Sequence, residues 1–469
     1  MSSITANAEA PASPELDRQP PGIRPSFLSN IATVLGGQIA CAVVALGIEI
    51  CYARLLGPVG RGQISLCMMA IAMGTLIGGL GGEIPIVVWT AGARQPSREW
   101  LPAVFFWGAI GSATAAALWA QIYWHWHPTF LQGITSALAG LVIAAIPVSI
   151  FFSYFVAILT GLERFQLRAG LSLASQIVEF IAIVVLVGLF GRSAEVAVLG
   201  VLSGLIVGTA ITVGFLKEPL RGMWKFGSAR KKLGSALSLG LRGQLGDLAS
   251  FFNYRLDVFI VNSFLGPAQV GLYAVGVVVS ESIWQIPQAA AVALFPRTAR
   301  TLDRGATEFT CLVLRQVLLL AVLLGIVMAV SSPILIPMLF GARFSPAVAV
   351  IWWILPGTIA LSLGKVMSAD LAARGKPEYS SIFALVSLAV TVILDFALIP
   401  RMGIQGAALA SSIAYLVDSA LLAIALKHLL KVTWRSLLAP TGAEFAAYHE
   451  AFLRCWAWLR LATVSGGAD

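Results

Sequence analysis

Charge is scarce in this sequence. Of its 469 residues only 11% are charged, 58% are hydrophobic, and the mean hydropathy is +0.88. Soluble domains carry about 25% charged residues. A surface this poor in charge is incompatible with water, so we expect the lipid bilayer to be the solvent of the protein.

Residues and motifs typical of enzymes are also sparse. The five cysteines show no CxxC spacing and the four histidines form no ligand-like group, which argues against a disulfide framework and a metal site. No Walker A sequence is present, so direct ATP drive is not indicated. No Ser-His-Asp or paired-carboxylate pattern stands out either. We therefore expect no metal, no cofactor and no enzymatic reaction.

Long apolar runs dominate the sequence instead. A spanning helix needs about 20 apolar residues, and these runs lack the alternating polarity of barrel strands. After a predicted disordered cytoplasmic tail, 1–26, they predict an all-α polytopic membrane protein. Its transmembrane helices number about twelve, near 27–53, 63–90, 101–121, 135–160, 168–190, 195–216, 236–264, 268–294, 310–334, 346–371, 379–399 and 404–427.

Lys and Arg are distributed unevenly between the predicted loops. With the N-terminus inside, 22 of the 31 fall in inner segments and 5 in outer loops, the latter including Arg54 and Arg61. An excess of cations in cytoplasmic loops is general in membrane proteins. The asymmetry predicts that both termini are cytoplasmic. It also explains the net charge of +9 without a nucleic-acid partner.

The chain ends in a predicted cytoplasmic tail, 428–469. Within it, the segment 443–461 places aromatic and aliphatic residues at helical spacing among charges. This pattern is typical of an amphipathic helix on the membrane surface. A loosely ordered tail is the alternative that the pattern leaves open.

One short segment occurs twice. The sequence LGPVGRG at 56–62 recurs as LGPAQVG at 265–271, an offset of 209, and 191–210 echoes 401–420 more weakly. The repeat predicts two six-helix lobes, an N-lobe at 27–216 and a C-lobe at 236–427, joined by a basic cytoplasmic linker at 217–235. Parallel repeats of this kind build the two halves of many secondary transporters, with the substrate path between them.

Ionisable residues inside the predicted spans point to function. Each costs at least ~2.5–3.5 kcal/mol near a helix centre, so it usually faces a cavity or a partner. The seventh span is the most polar: Arg242, Ser250, Asn253 and Asp257 share one face, while Arg255 points elsewhere with Gln244 and Asn262. A helix this polar is expected to line water or a lobe interface.

Other interpretations of these charges remain open. Arg242, Arg315 and Lys365 lie close enough to the inner membrane surface to extend into it. Water could solvate Glu49, Asp370 and Asp395 near their span ends. For mid-span charges, a structural salt bridge or inter-helix hydrogen bond is the alternative.

A phosphate-bearing amphiphile would need cations and polar groups around a wet cavity. Arg is suited to this because it makes bidentate phosphate contacts. The candidate residues for binding such a cargo are Arg255, Arg242, Lys365, Asn253 and Gln38. The candidate carriers of a coupling proton or Na⁺ are Glu49, Glu179 and Asp257.

Several short segments occur in a characteristic order: RLLGPVGRG at 54–62, RLDVFIV at 255–261, LGP at 265–267, GLY at 271–273, IPQ at 286–288, LFPR at 294–297, IP at 399–400 and GIQGAA at 403–408. Over 27–427 their order resembles the Wzx-type oligosaccharide flippases. That family belongs to the multidrug/oligosaccharidyl-lipid/polysaccharide exporter (MOP) superfamily, which also contains multidrug exporters and the peptidoglycan-precursor flippase.

The resemblance implies a MATE-like fold of two six-helix lobes that works by alternating access. It implies a cargo of undecaprenyl-diphosphate-linked oligosaccharide repeat units, moved across the bacterial cytoplasmic (inner) membrane. The pathway would be exopolysaccharide, capsule or O-antigen biosynthesis. Cationic cavity residues are a family feature, and Arg255 matches the seventh-helix motif directly.

Three functions are weighed. The first is the flippase, with membrane lipids, a polysaccharide polymerase and export machinery as candidate partners. The second is an ion-coupled multidrug or metabolite antiporter of the same fold, which an acidic cavity would favour. The third is a membrane glycan polymerase or ligase. Such enzymes typically need a large outer domain, and the longest predicted outer loop is only 121–133.

Overall fold

The computed structural model describes residues 25–93, 100–217, 233–300 and 304–439. These ranges are helical and contain no β-strand. The helices in chain order are α1 Pro25–Gly79, α2 Glu83–Ala93, α3 Leu101–Phe130, α4 Ser136–Gly161, α5 Phe165–Phe190, α6 Ala194–Phe215, α7 Leu233–Leu265, α8 Pro267–Glu281, α9 Gln285–Arg300, α10 Arg304–Phe340, α11 Ala347–Ala373, α12 Glu378–Met402, α13 Ile404–Leu430 and α14 Trp434–Leu438. Two 3-10 turns lie at Ser282–Trp284 and Ala342–Phe344.

In the described part of the chain, ten helical segments are long and apolar enough to cross a membrane. One of them holds two spans, because Gly57 breaks α1 into an N-terminal arm (25–56) and a C-terminal arm (58–79). Helices α8 and α9 continue each other across the 3-10 turn as one broken span, and α7 is the polar seventh span. Counted in this way, the helices form the twelve spans that the sequence predicts.

Six turns on one side of the membrane share a backbone feature. Each contains a glycine with positive φ, a conformation that costs glycine little because it lacks a Cβ; these are Gly57, Gly133, Gly191, Gly266, Gly341 and Gly403. The first three match the last three at nearly constant spacing, so the repeat extends through all three hairpins of each half. We call this side the glycine-turn side.

The two halves form separate helical groups. Helices α1–α6 pack mainly on one another, and so do α7–α13, while α1, α2 and α3 also contact α7, α8 and α10 in the other half. The prediction of two six-helix lobes is confirmed. That both termini are cytoplasmic, which would put the glycine-turn side outside, stays a prediction.

Three predicted segments fall wholly or largely outside the described residues: the tail 1–26, the linker 217–235 and the amphipathic helix 443–461. Helix α1 already begins at Pro25. Of the C-terminal tail, the structure describes the end of α13 and the short helix α14. Leu437 of α14 is fully buried in the C-lobe, and Arg315 donates a hydrogen bond to the Ser436 carbonyl at 2.8 Å. The start of the tail is therefore docked on the C-lobe.

Candidate functional site

A chamber of about 290 Å³ lies between the lobes. The N-lobe contributes both arms of α1 and part of α5, and the C-lobe contributes α7 and α8. The charged side chains in its wall are Glu49, Arg61, Glu179 and Arg255. Pockets that bury drug-sized ligands measure about 300–1,000 Å³. A larger cargo could therefore enter only if the lobes moved apart.

On the N-lobe side, the charges of the chamber are held by neighbouring helices. Arg61 forms a salt bridge with Glu49, and its guanidinium also donates to the Ser65 hydroxyl. Glu179 accepts a hydrogen bond from the Tyr52 hydroxyl at 3.0 Å. The Arg61 Nε–H is buried and has no hydrogen-bond partner in the described part of the chain. One donor of this arginine is thus left over.

Arg61 lies inside a helix and not in an outer loop, so the prediction of an outer-loop position is wrong. The turn between the first two spans consists of Gly57 alone, so the second span begins at Pro58 and Arg61 lies one turn inside it. Only 3% of Arg61 is exposed. The Gly-Pro pair was the available signal, since glycine followed by proline indicates a one-residue turn and an immediate helix start.

On the C-lobe side, Arg255 makes a bidentate pair with Glu281. The two hydrogen bonds measure 2.9 and 2.6 Å, and the Arg255 side chain keeps 26% of its surface exposed. This geometry is the one that a carboxylate and a phosphate share when they bind arginine. Arg255 is therefore oriented by a carboxylate of its own lobe while it still faces the chamber.

Three polar residues of α7, namely Gln244, Arg255 and Asn262, face the N-lobe at successive points along the interface. The sequence predicts that these three share one face of the helix. Gln244 donates to the Leu76 carbonyl, and Asn262 donates to the carbonyls of Phe130 and Gln132 at 2.9 and 3.2 Å. At 1.5 Å per residue, these contacts lie about 16 and 10 Å along the helix on either side of Arg255. The chamber is bracketed by lobe contacts at both ends.

On the glycine-turn side, the two copies of the repeat contact each other reciprocally. Gly62 packs against the Pro267 carbonyl, and Gly271 packs against the Pro58 carbonyl. A Cβ at either glycine would overlap the opposing backbone. These residues occupy equivalent positions in the two lobes, so the repeated sequence itself forms this contact.

Three further side chains cross between the lobes on the same side, and one of them is Gln132, which donates to the Ser263 carbonyl at 3.3 Å. Arg54, in the first arm of α1, donates to the carbonyls of Met338 and Leu339 at the end of α10, the latter at 2.7 Å. Asn262 binds the end of α3 in the same way. Helix C-termini leave carbonyls without intrahelical partners. We call Arg54 and Asn262 the cross-lobe caps, because each binds such carbonyls in the other lobe.

Inside the C-lobe, Asp257 and Asn253 face away from the chamber. Asp257 is 2% exposed and accepts hydrogen bonds from Tyr273, from Ser411 at 3.2 Å and from its neighbouring backbone N–H at 2.8 Å. The Asn253 oxygen lies 3.1 Å from the Ser387 hydroxyl and 3.2 Å from that of Thr391. The structure thus separates these two residues from Arg255, as their different faces on α7 indicated.

Asp395 and Asp370 are both fully buried, so the idea that water solvates them near span ends is wrong. Asp370 is bound by Thr310, Thr298 and Arg374, at 2.8, 3.2 and 2.6 Å. Both oxygens of Asp395, in contrast, have no hydrogen-bond partner among the described residues. Asp395 lies within electrostatic reach of Asp257. Sequence spacing gives no signal that Asp395 of α12 and Asp257 of α7 lie near each other.

Lys365 is partly buried in the C-lobe rather than extended into an interface. Its ammonium lies 4.3 Å from the ring centroid of Trp284 and 5.0 Å from that of Tyr254. Glu281 and Arg255 both lie within electrostatic reach of this lysine. Two of the predicted cations, Lys365 and Arg255, are thus close together. The side chains of Gln38 and Arg242 lie outside the described part of the structure.

The fold is that of a multi-pass membrane protein with two six-helix lobes and a chamber between them. Among solved structures, the fold is similar to "Lipid II flippase MurJ, inward closed conformation", with a TM-score of 0.71, 16% identity, and 84% of this chain and 87% of that chain covered. It is also similar to an inward-facing multidrug resistance MATE family transporter of the MOP superfamily, with a TM-score of 0.68, 16% identity, and 86% and 98% covered. The MATE-like fold expected from the sequence is confirmed.

Sequence comparison identifies the family. A family model described as "Polysaccharide biosynthesis protein" matches residues 51–349, and the chain belongs to this family. A curated relative, the "Probable low-salt glycan biosynthesis flippase Agl15" of Haloferax volcanii, is 24% identical over 235 residues. This match covers 49% of the chain and 49% of that relative, so the chain aligns with about half of its length.

Proposed function

We propose that this protein flips undecaprenyl-diphosphate-linked oligosaccharide repeat units across the bacterial cytoplasmic membrane, by alternating access of its two lobes. The cargo would serve the biosynthesis of an exopolysaccharide, a capsule or an O-antigen. Family membership and the flippase named among the relatives support this assignment.

One observation carries the proposal: two arginines, Arg61 from the N-lobe and Arg255 from the C-lobe, line one chamber between the lobes. A diphosphate bound between them would contact both lobes at once. The buried Arg61 Nε–H has no hydrogen-bond partner in the described part of the chain, and Arg255 presents the fork geometry that suits phosphate. Lys365 adds a third cation beside Arg255.

We assign ion coupling to two groups of carboxylates. Glu49 and Glu179 line the chamber itself, where cargo could compete for their partners. Asp257 and Asp395 lie in the C-lobe, and Asp395 lacks a partner among the described residues. A buried, unpaired carboxylate is costly, and a proton or Na⁺ would relieve that cost. Asn253 belongs to this second group rather than to the cargo site, because its oxygen faces the same interior of the C-lobe.

The antiporter is the second candidate, and the carboxylates Glu49 and Glu179 in the chamber wall favour it. Both chamber arginines, however, are a poor match for cationic drugs. A glycan polymerase or ligase gains no support: on the glycine-turn side the described turns hold at most the six residues 341–346, which leaves no room there for an outer catalytic domain.

The test is complementation of a deletion strain of the source organism. We expect Arg255→Ala and Arg61→Ala to abolish surface polysaccharide and to make the lipid-linked repeat unit accumulate, with protein levels intact. Arg192→Ala is the matched control, since Arg192 is exposed in the turn between α5 and α6. Normal polysaccharide in both chamber variants, or altered drug susceptibility without a polysaccharide defect, would favour the antiporter.

A further inference from the structure

The ammonium of Lys365 contacts aromatic rings, and the carboxylates of Glu281 and Asp418 lie within electrostatic reach of it. Its ammonium sits over Trp284 and Tyr254, and no salt bridge to it occurs within the described ranges. The rings of Tyr254, Trp284 and Tyr415 are mutual neighbours, with centroid separations of 5.6, 5.7 and 6.0 Å. This cluster joins α7, the 3-10 turn and α13. Lys365 is therefore near two carboxylates, but no salt bridge within the described ranges fixes it to either of them.

The cluster lies next to Arg255. Glu281, which pairs with Arg255, is the last residue of α8, and the 3-10 turn Ser282–Trp284 follows it directly. The break between α8 and α9 therefore carries the carboxylate partner of Arg255 and the indole beneath Lys365. The indole N–H donates to the Thr358 carbonyl at 3.3 Å, which orients the ring. The ring is positioned by the backbone independently of the lysine.

A cation–π contact is weaker than a contact between an ammonium and a phosphate in a site of low dielectric. An incoming diphosphate at Arg255 would thus draw Lys365 away from the rings. Trp284 is only 7% exposed, and Lys365 covers one face of its ring. Moving the lysine would uncover that apolar, flat face, and the C–H face of a sugar ring packs on such a surface. In a lipid-linked sugar, the first sugar is attached directly to the diphosphate, so the two would arrive side by side.

We propose that Trp284, supported by Tyr254, is the platform on which the first sugar of the cargo stacks, and that Lys365 occupies this platform until the cargo's diphosphate arrives. This inference rests on the proposed function and deepens it: it names the residue that recognises the sugar, as distinct from those that recognise the phosphates.

The experiment separates sugar recognition from phosphate recognition. The purified full-length protein in nanodiscs is titrated with undecaprenyl diphosphate, and with the same lipid carrying one glucose, galactose or N-acetylglucosamine. We expect at least one sugar-bearing lipid to bind about tenfold more tightly than the bare lipid. Trp284→Leu should remove that gain while the affinity for the bare lipid changes less than twofold. Trp284→Phe should keep part of it.

Two further variants complete the test. Lys365→Met should lower the affinity for the bare lipid and for the sugar-bearing lipid by similar factors, because the lysine would contact phosphate. Trp353→Leu, at an exposed tryptophan of α11, should change neither. Unchanged binding of the bare lipid to Trp284→Leu also shows that this variant is folded. If Trp284→Leu does not fold, the gain in affinity from the sugar is measured in Tyr254→Leu and Trp284→Phe instead.

The inference is overturned if the sugar gain persists in Trp284→Leu, or if wild-type protein binds the bare lipid but gains nothing from any of the sugars. In both cases the proposed function survives. Wild-type protein that binds none of the lipids would overturn both proposals together.

Discussion

Gly62 and Gly271 occupy equivalent positions in the two repeats, and each packs against the proline that begins the corresponding helix of the other lobe. Gly62 contacts the Pro267 carbonyl and Gly271 contacts the Pro58 carbonyl, with no space for a Cβ at either place. The close approach exists because neither residue has a side chain. It joins the lobes directly above the chamber on the glycine-turn side.

We expect Gly62→Ala to part the lobes on that side. Overpacking costs about 1–3 kcal/mol, enough to shift a closed–open equilibrium by roughly fivefold or more. Double electron–electron resonance between spin labels at Thr129 and Ser345, exposed near the glycine-turn ends of α3 and α11, would measure the separation. The population of longer distances between the two spin labels should increase. Gly140→Ala is the control, because a Cβ there meets nothing within 4 Å; an identical response of both variants would contradict this account.

The cross-lobe caps should act in the same direction. Arg54→Gln and Asn262→Ala each remove hydrogen bonds from the end of a helix in the other lobe. Such bonds contribute about 0.5–1.5 kcal/mol each, so opening should rise roughly two- to tenfold for each bond lost. Each variant loses two bonds, and the double variant loses four. The same pair of spin labels reports the opening. Arg192→Gln should leave the distances unchanged. Unchanged distances in the cap variants as well would mean that the cross-lobe caps do not hold this side closed.

Asp395 should govern the response of the protein to a coupling cation. A cation that binds only the folded state raises its stability, by about 2.7 kcal/mol at a hundred times the dissociation constant. We expect wild-type protein to melt at a higher temperature in NaCl than in choline chloride if Na⁺ couples, or on acidification if a proton does. Asp395→Asn should abolish that response. Asp247→Asn, at an exposed carboxylate of α7, should retain it.

Substitution of the two fully buried aspartates, Asp370 and Asp395, should reduce the stability of the protein by different amounts. Asp370→Ala leaves the Arg374 guanidinium largely buried without its counter-ion, and breaking such a pair costs about 3–5 kcal/mol. Asp395→Ala removes a carboxylate without partners in the described part of the chain, so it should cost far less. Thermal unfolding of both variants checks this. Equal losses would mean that Asp395 has a structural role too.

Much of the fold could be predicted from sequence because its signals are local. Apolar runs of about 20 residues mark the spans, and the Gly-Pro repeat marks both lobes. The separation of Arg255 from Asp257 also followed from helix geometry. Prediction failed where one residue decides the geometry: Gly57 makes a turn of a single residue, which carries Arg61 into the membrane.

The remaining site residues depend on contacts that no spacing reveals. Asp395 and Asp257 are 138 positions apart, and their proximity depends on how α12 packs beside α7. No sequence pattern distinguishes Trp284 from the other apolar residues, and only the break between α8 and α9 places it under Lys365. Such features follow from the packing of whole helices.

The central claim is that this protein moves a lipid-linked sugar past two arginines. The most direct measurement reconstitutes it in proteoliposomes and follows the transfer of a fluorescent undecaprenyl-diphosphate-linked sugar between leaflets. The account predicts transfer by wild-type protein and by Arg192→Gln, and a loss of at least about tenfold in Arg61→Gln and Arg255→Gln, in line with the ~1.5–3 kcal/mol of a charged hydrogen bond. Equal transfer by all four proteins, or none above empty liposomes for the wild type, would contradict it.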